Sequence, residues 1–318
     1  MRVTRAPTTP GEAMSELHTL AREQGATRAL IAHEVDPKGY HLAFVDEPVL
    51  VHGFRKMVRN LEYDVAELAV TTYLTAKEHG VGLTALPVPV VRDFHHGATQ
   101  VLAEGAVRRA VDLHGKRVGV NRGYTVTTGV WGRAELAAAG LDLGSVTWVR
   151  SGDEHVASYV APENVVQAPA DRSLHELLLA GELDAVVGAA IDDPDIVPLL
   201  DRSHAWEQRR IFPINHVVVV RDELVEEHPG LATAVFEAFV TAKEVYVEQL
   251  RAGLDATKQD RTLRAVMAAT GADPLPYGVE PNRAALEELM DHAVAQGILT
   301  APMRLEDAFV PETRDLVG

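Results

Sequence analysis

The sequence predicts an α/β protein built as two lobes, and three observations carry this. Short apolar, β-branched runs alternate with helical patterns along most of the chain, the mark of parallel sheets with crossover helices. At 318 residues the chain suits two lobes of ordinary size better than one core. No internal repeat, low-complexity segment or Pro/Ser-rich linker interrupts it, so short crossing strands rather than a tether should join the lobes. The crossings are expected at Thr99–Glu104 and Ile211–Val217, giving a first lobe from residues 1–101 and 213–318 and a second from 102–212.

Taken in order, residues 1–11 read as a loose tail, Met14–Gln24 as a short helix and Arg28–His33 as a first strand. After a turn at Asp36–Gly39, Val49–Asn60 has helical spacing through Val51, Phe54, Met57 and Val58. Asp64–Val70 is a strand with Glu67 inside an otherwise apolar run, and Thr71–His79 a helix closed by Gly80. Leu83–Val91 is a strand whose Pro87 and Pro89 confine it to an edge or a bend. A second α/β unit follows, with strands at Ala98–Ala103, Lys116–Val120, Val146–Val149 and Ala185–Val187, and helices at Thr127–Ala139 and Ser173–Ala180. Phe212–Val220 is a long β-branched strand. Pro229–Arg251 is the clearest helix, with Leu231, Val235, Phe239, Tyr246 and Leu250 on one face. The last helices, Arg261–Thr270 and Arg283–Gln296, are expected to return to the first lobe.

Composition narrows the function. Hydrophobic content of 47% and charged content of 24% are those of a globular protein. A net charge of −16 argues against nucleic acid or an anionic membrane as partner, so an anionic ligand needs local positive groups. The absence of cysteine removes disulfides, thiolate nucleophiles and metal–thiolate centres. With no apolar run of about 18 residues and no signal-like h-region at the start, the expected location is cytoplasmic.

The stretch DLHGKRVGVNRGYTVTTGVWGR (112–133) organises the second lobe. A strand, a break at Asn121-Arg122-Gly123 and a helix start place Tyr124, Thr125, Thr127 and Thr128 at a helix N-terminus. Such an end favours anions through its free N–H groups and dipole. Plain threonine capping is the other reading. The spacing fits neither a dinucleotide nor a P-loop fingerprint.

Other chemistry-bearing residues sit at strand ends, where parallel sheets gather ligands. Glu67 needs a partner if buried. Arg92, with the bidentate fork that suits a carboxylate, is followed by His95 and His96, which titrate near neutrality. His216 interrupts an apolar strand, where a lone histidine usually belongs to the core. Glu154-His155 follows Val146–Val149 in a Gly-containing loop that can line the same cleft. Asp192, Asp193 and Asp195 read as a turn with helix-capping acids. No HExxH or other compact spacing occurs, so no metal is expected, a divalent ion on the histidines and Glu67 being the alternative.

Four segments in this order, YDVAELAVTTYL (63–74), RDFHHGA (92–98), NRGYTVTTGVWGRAEL (121–136) and FPINHVVVV (212–220), together with LHGKRVGV, resemble 4,5-dihydroxyphthalate decarboxylase and its relatives. The resemblance spans about residues 28 to 250 and implies a two-lobed type II periplasmic-binding-protein-like fold with the ligand cleft at the hinge. Arg92, Phe94 and His96 match the family's Arg, aromatic and His, Glu67 its strand-end glutamate, and His216 its histidine on the return strand. His95, where the family pattern has Arg, and one residue inserted around Asn121–Gly123 depart from it.

The resemblance implies a decarboxylase of a small aromatic acid that needs no organic cofactor. Arg92 and the Thr125–Thr128 helix start would hold carboxylates, with His95, Tyr124 and His155 beside them. One of His96, His216 or Glu67 would protonate the ring carbon, His96 and Glu67 being expected to approach each other from adjacent strands. A cytosolic binding protein for a small carboxylate and a dehydratase-type lyase are the alternatives. A homo-oligomer is compatible with all three.

Overall fold

Runs rich in β-branched and other apolar residues form eleven strands among the described residues. A computed structural model, describing residues 15–201, 206 and 210–318, arranges them in two sheets. The strands of the chain's first third are β1 (Ser15–Leu20), β2 (Tyr40–Phe44), β3 (Val65–Ala69), β4 (Leu83–Arg92) and β5 (Thr99–Leu102). Then come β6 (Arg117–Val120), β7 (Thr147–Arg150), β8 (Val165–Gln167), β9 (Ala185–Val187), β10 (Ile196–Pro198) and β11 (Ile214–Arg221). The first sheet has the order β2-β1-β3-β11-β4 and the second β10-β5-β9-β6-β7-β8. β1, β2 and β3 are parallel, whereas β11 runs antiparallel between β3 and β4. β4 is thus an edge strand, as its two prolines require, and its register against β11 slips three times.

The helices that position the site are α1 (Arg28–Ile31), α2 (Leu50–Asn60), α3 (Val70–Glu78), α4 (Thr127–Ala138) and α5 (Leu174–Leu179). They are followed by α6 (Asp222–Glu227), α7 (Leu231–Arg251), α8 (Lys258–Thr270), α9 (Arg283–Ala295) and α10 (Leu305–Ala308). α7 buries the predicted Leu231, Val235, Phe239, Tyr246 and Leu250. It starts two residues after Pro229, from Gly230 at φ 88°. α4 is buried nearly all round, because it lies between the second sheet and α9.

Three expectations change. The alternating SELHTL is strand β1 rather than a helix, and RALI is the one-turn helix α1 rather than a strand, two short runs that periodicity alone does not separate. β5 belongs wholly to the second sheet and β11 wholly to the first, so the first crossing falls before Thr99. The C-terminal helices do not simply return to the first sheet. Val310 N–H bonds Ala85 O (2.9 Å) on β4, but α9 packs on α4 of the second. There the fully buried Arg133 donates to Gln296 (2.7 Å) and to Tyr124 O (2.7 Å), and the Gln296 amide donates to Val130 O (3.0 Å). Trp131, also fully buried, donates to Ile214 O on β11 (3.0 Å). One apolar cluster therefore runs from Leu20 and Phe54 through Tyr73 to Trp131, Trp148 and Leu289.

Candidate active site

The middle of a fully buried five-residue strand is a costly place for a carboxylate unless it is paired. Glu67, with no exposed side-chain surface, has three donors. The Arg22 backbone N–H (3.0 Å) and Nε (2.9 Å) come from the turn after β1, and His216 Nδ1 (2.5 Å) comes from β11. The register makes the last contact: His216 lies opposite Ala69 and Val218 opposite Glu67, so Glu67 and His216 are diagonal neighbours on one face. Arg22 Nη2 also lies 2.8 Å from His216 Nδ1. Burial pushes the Glu67 pKa up, but the hydrogen bond and charge of His216, with Arg22, carry it below the usual carboxylate value. Burial holds His216 below the ordinary imidazole value, against the pull of Glu67. Phe54 on α2 presents an edge-on contact to His216 with ring centroids 5.2 Å apart.

The second sheet brings matching groups to the same place. Phe54 also meets His155 edge-on, at 6.1 Å. His155 follows β7. Its Nδ1 is 2.9 Å from Thr72 Oγ1 at the start of α3, and its buried Nε2 has no hydrogen-bond partner among the described residues. Burial, then Arg55, Arg122 and Arg59, depress its pKa to about 3, so it is a neutral imidazole. Arg59 on α2 donates to the carbonyls of His155 (2.9 Å) and Glu154 (2.7 Å), clamping this loop to the first lobe. Arg55, one turn earlier, donates to Asp153 O at 3.5 Å. Arg122 leaves β6 in a left-handed conformation (φ 67°) fixed by Ser151 Oγ, which accepts its N–H at 2.8 Å. Burial, then the charges of Arg22 and Arg55, lower the Arg122 pKa.

The remaining sequence candidates lie elsewhere. The helix start is already occupied by the protein's own anion. Glu154 accepts from Tyr124 N (2.7 Å), Thr125 N (3.1 Å) and Thr125 Oγ1 (2.9 Å). Gly123 permits this, since a Cβ there would lie 2.5 Å from the Glu154 carboxylate. Thr127 Oγ1 bonds Thr71 N–H (3.1 Å), joining the two lobes, and the Tyr124 ring stacks under Arg133. Thr128 lines a separate cavity of about 470 Å³ together with His95, Gly188 and Asn215, and His95 Nε2 is 2.7 Å from Asn215 Oδ1. Arg92 is buried, donates to Asn282 and lies over Phe212. His96 Nε2 is 3.3 Å from Glu135 on α4. The expected approach of His96 to Glu67 is not formed, because β11 lies between β3 and β4 and brings His216 instead. Asp193 accepts from Asp195 N–H at 2.9 Å, the turn expected there.

The 4,5-dihydroxyphthalate decarboxylase of Comamonas testosteroni is 30% identical over 288 residues, covering 81% of this chain and 85% of that one. The chain belongs to the 4,5-dihydroxyphthalate decarboxylase family. A second decarboxylase of that name, from Pseudomonas putida, is 34% identical over 171 residues, 51% of this chain and 65% of that protein. No family model matches the chain. The periplasmic aliphatic sulphonate binding protein SsuA of Escherichia coli superposes with a TM-score of 0.56 at 13% identity, covering 94% of this chain and 92% of that one. The desulfurization enzyme DszB, complexed with biphenyl-2-sulfinic acid, does so with a TM-score of 0.56 at 16% identity, covering 95% and 98%. Both likenesses concern the fold, which is the two-lobed periplasmic-binding-protein type. Arg22, Arg55 and Arg122 are candidate site residues that the sequence did not single out. Arg22 and Arg122 each lie two residues past the end of a strand, a signal available once β1 is recognised as one.

Proposed function

We propose that this protein decarboxylates an aromatic dicarboxylate of the 4,5-dihydroxyphthalate type without an organic cofactor. The observation that carries the reading is the Glu67–His216 pair, contacted by Arg22 and faced by Arg55, Arg122 and neutral His155. Two adjacent carboxylates on a ring match clustered guanidinium groups better than any single-charge ligand does. A hydroxyl para to a carboxylate-bearing carbon makes the ring its own electron sink. The oxygen pair pushes toward that carbon, which takes a proton. The bond to the carboxylate then breaks, its electrons restore the aromatic ring and CO₂ leaves.

His216 is the proton donor in this scheme. In the empty site burial keeps it neutral. A bound dianion offsets the Arg22 and Arg122 charges that oppose protonation, and Glu67 stabilises the imidazolium, so substrate and proton enter together. His155 Nε2 is available to a ring hydroxyl in either tautomer. The test is incubation with 4,5-dihydroxyphthalate and simpler aromatic acids, following CO₂ and substrate together. CO₂ release matched to substrate loss supports the reading. Binding without either overturns it in favour of a binding protein, and substrate loss without CO₂ overturns it in favour of a dehydratase.

A further inference from the structure

Away from the cleft, two histidines and one aspartate converge on the outer edge of the first sheet. His33 follows α1, Asp36 lies in the next turn, and His41 is the second residue of the edge strand β2. His33 Nδ1 is 3.7 Å from Asp36 Oδ1, and His41 Nδ1 is 3.5 Å from Asp36 Oδ2. One donor atom from each of the three residues lies within 4.8 Å of the others. The imidazole rings are stacked, with centroids 4.5 Å apart and planes 25° from parallel.

The backbone fixes this convergence. His33 adopts the left-handed conformation (φ 54°), its N–H bonded to Leu30 O at 3.0 Å, and this reversal at the end of α1 turns the chain back toward β2. Asp36 is tied to the strand by the Leu42 N–H, 3.4 Å from Oδ1. The side chains are 23–43% exposed, so water and ions have access.

We propose that His33, Asp36 and His41 form a surface site for a divalent transition metal of the zinc class. Two imidazoles and a carboxylate are borderline donors that suit Zn²⁺, Co²⁺ or Ni²⁺ rather than Mg²⁺ or Ca²⁺, which take oxygen shells. Metal–ligand bonds of about 2.0–2.2 Å at tetrahedral angles hold donor atoms about 3.3–3.5 Å apart, so the donor atoms, now within 4.8 Å of one another, draw together by up to about 1.5 Å as the exposed side chains turn toward the ion. Three protein ligands leave a fourth position for water. The ion would staple α1 and its turn to β2, the strand that ends the first sheet among the described residues.

The site is separate from the catalytic groups. His41 is level with Glu16 near the start of β1, whereas Arg22 lies past the end of that strand. Six residues of extended chain span about 20 Å. Binding is therefore separable from turnover.

The experiment titrates the full-length, tag-free protein with Co²⁺, following the visible d–d bands that tetrahedral cobalt shows strongly, and then displaces it with Zn²⁺. One equivalent of tetrahedral cobalt, displaced by one of zinc, is expected. His41→Asn and Asp36→Asn should each abolish the bands with unchanged decarboxylation. His175→Asn, which removes another exposed His–Asp pair (2.8 Å to Asp193), should leave them intact. In thermal melts, Zn²⁺ at about a hundredfold excess over its Kd should raise the wild-type midpoint by about 3–5 °C, an effect absent in both site variants. No saturable cobalt spectrum in the wild type overturns the proposal, as does a spectrum that survives in both His41→Asn and Asp36→Asn.

Discussion

Glu67→Gln keeps the volume of a fully buried side chain and removes its charge. The carboxylate accepts three hydrogen bonds from Arg22 and His216. A glutamine accepts with one oxygen and presents an NH₂ where the other stood, so at least one donor faces a donor. Hydrogen bonds to a charged group are worth about 1.5–3 kcal/mol each. The Arg22 guanidinium is 42% exposed and recovers hydration, which discounts its share. The expected loss is about 2 kcal/mol at neutral pH, measured by urea denaturation. The pH dependence has a fixed sign. The Glu67 pKa is lowered on folding, so its stabilisation is complete above the usual glutamate value and disappears as pH falls through the lower folded value. The gap between wild type and variant should be open at pH 7 and close in acid. Turnover should fall by roughly 10²–10³-fold, because the imidazolium of His216 loses its counter-charge, with a smaller change in substrate affinity. A variant as stable as wild type at pH 7 and equally active would refute both the pairing and its role.

Arg122→Lys keeps the charge but loses the fork, and should weaken dicarboxylate binding by about tenfold while sparing a monocarboxylate, read by calorimetry. Repeating that titration in buffers of different ionisation enthalpy should show net proton uptake on binding at pH 7, which His216→Asn removes; uptake that persists in the variant counts against His216. His155 has a folded pKa of about 3 against an ordinary 6.5, so it contributes stability that is present above pH 6.5 and lost as pH falls toward 3. The expected loss is about 2 kcal/mol by pH 5, and His155→Gln should flatten that part of the profile. Gly123→Ala puts a Cβ 2.5 Å from the Glu154 carboxylate and 2.9 Å from Asp153 O, and should cost about 2 kcal/mol in a denaturant melt.

Long, strongly patterned elements were legible in the sequence. α2, α3, α4, α7 and α9 lie within a few residues of where spacing puts them, as do β3, β4, β6 and β9. Several of the short pieces were not: β1 and α1 exchanged identities, and β2, β8 and β10 gave no distinct signal, because a run of three to six residues carries fewer than two helical turns and at most three strand alternations. The site shows the same division. Glu67 stood out as a charge within an apolar strand, and its partner His216 as a break in another. The pairing between them depended on β11 entering between β3 and β4, a tertiary fact with no local trace. Arg55 and Arg122 read as ordinary surface cations, since only the meeting of α2 with the loops after β6 and β7 gives them a common target. The threonine-rich helix start was legible as an anion site, but not that Glu154, some thirty residues on, would be the anion.

The placement of α9 against α4 has a consequence for synthesis. Arg133 and Trp131 are fully buried, and residues made more than 150 positions later, Gln296 and His292, contribute to their surroundings. On the ribosome the second sheet can pair its strands early, yet one flank of α4 stays open to water and to other chains until the stretch near residue 296 emerges. The interval between these events is when the nascent protein is most exposed to aggregation, and slow translation of residues 220–300 would lengthen it.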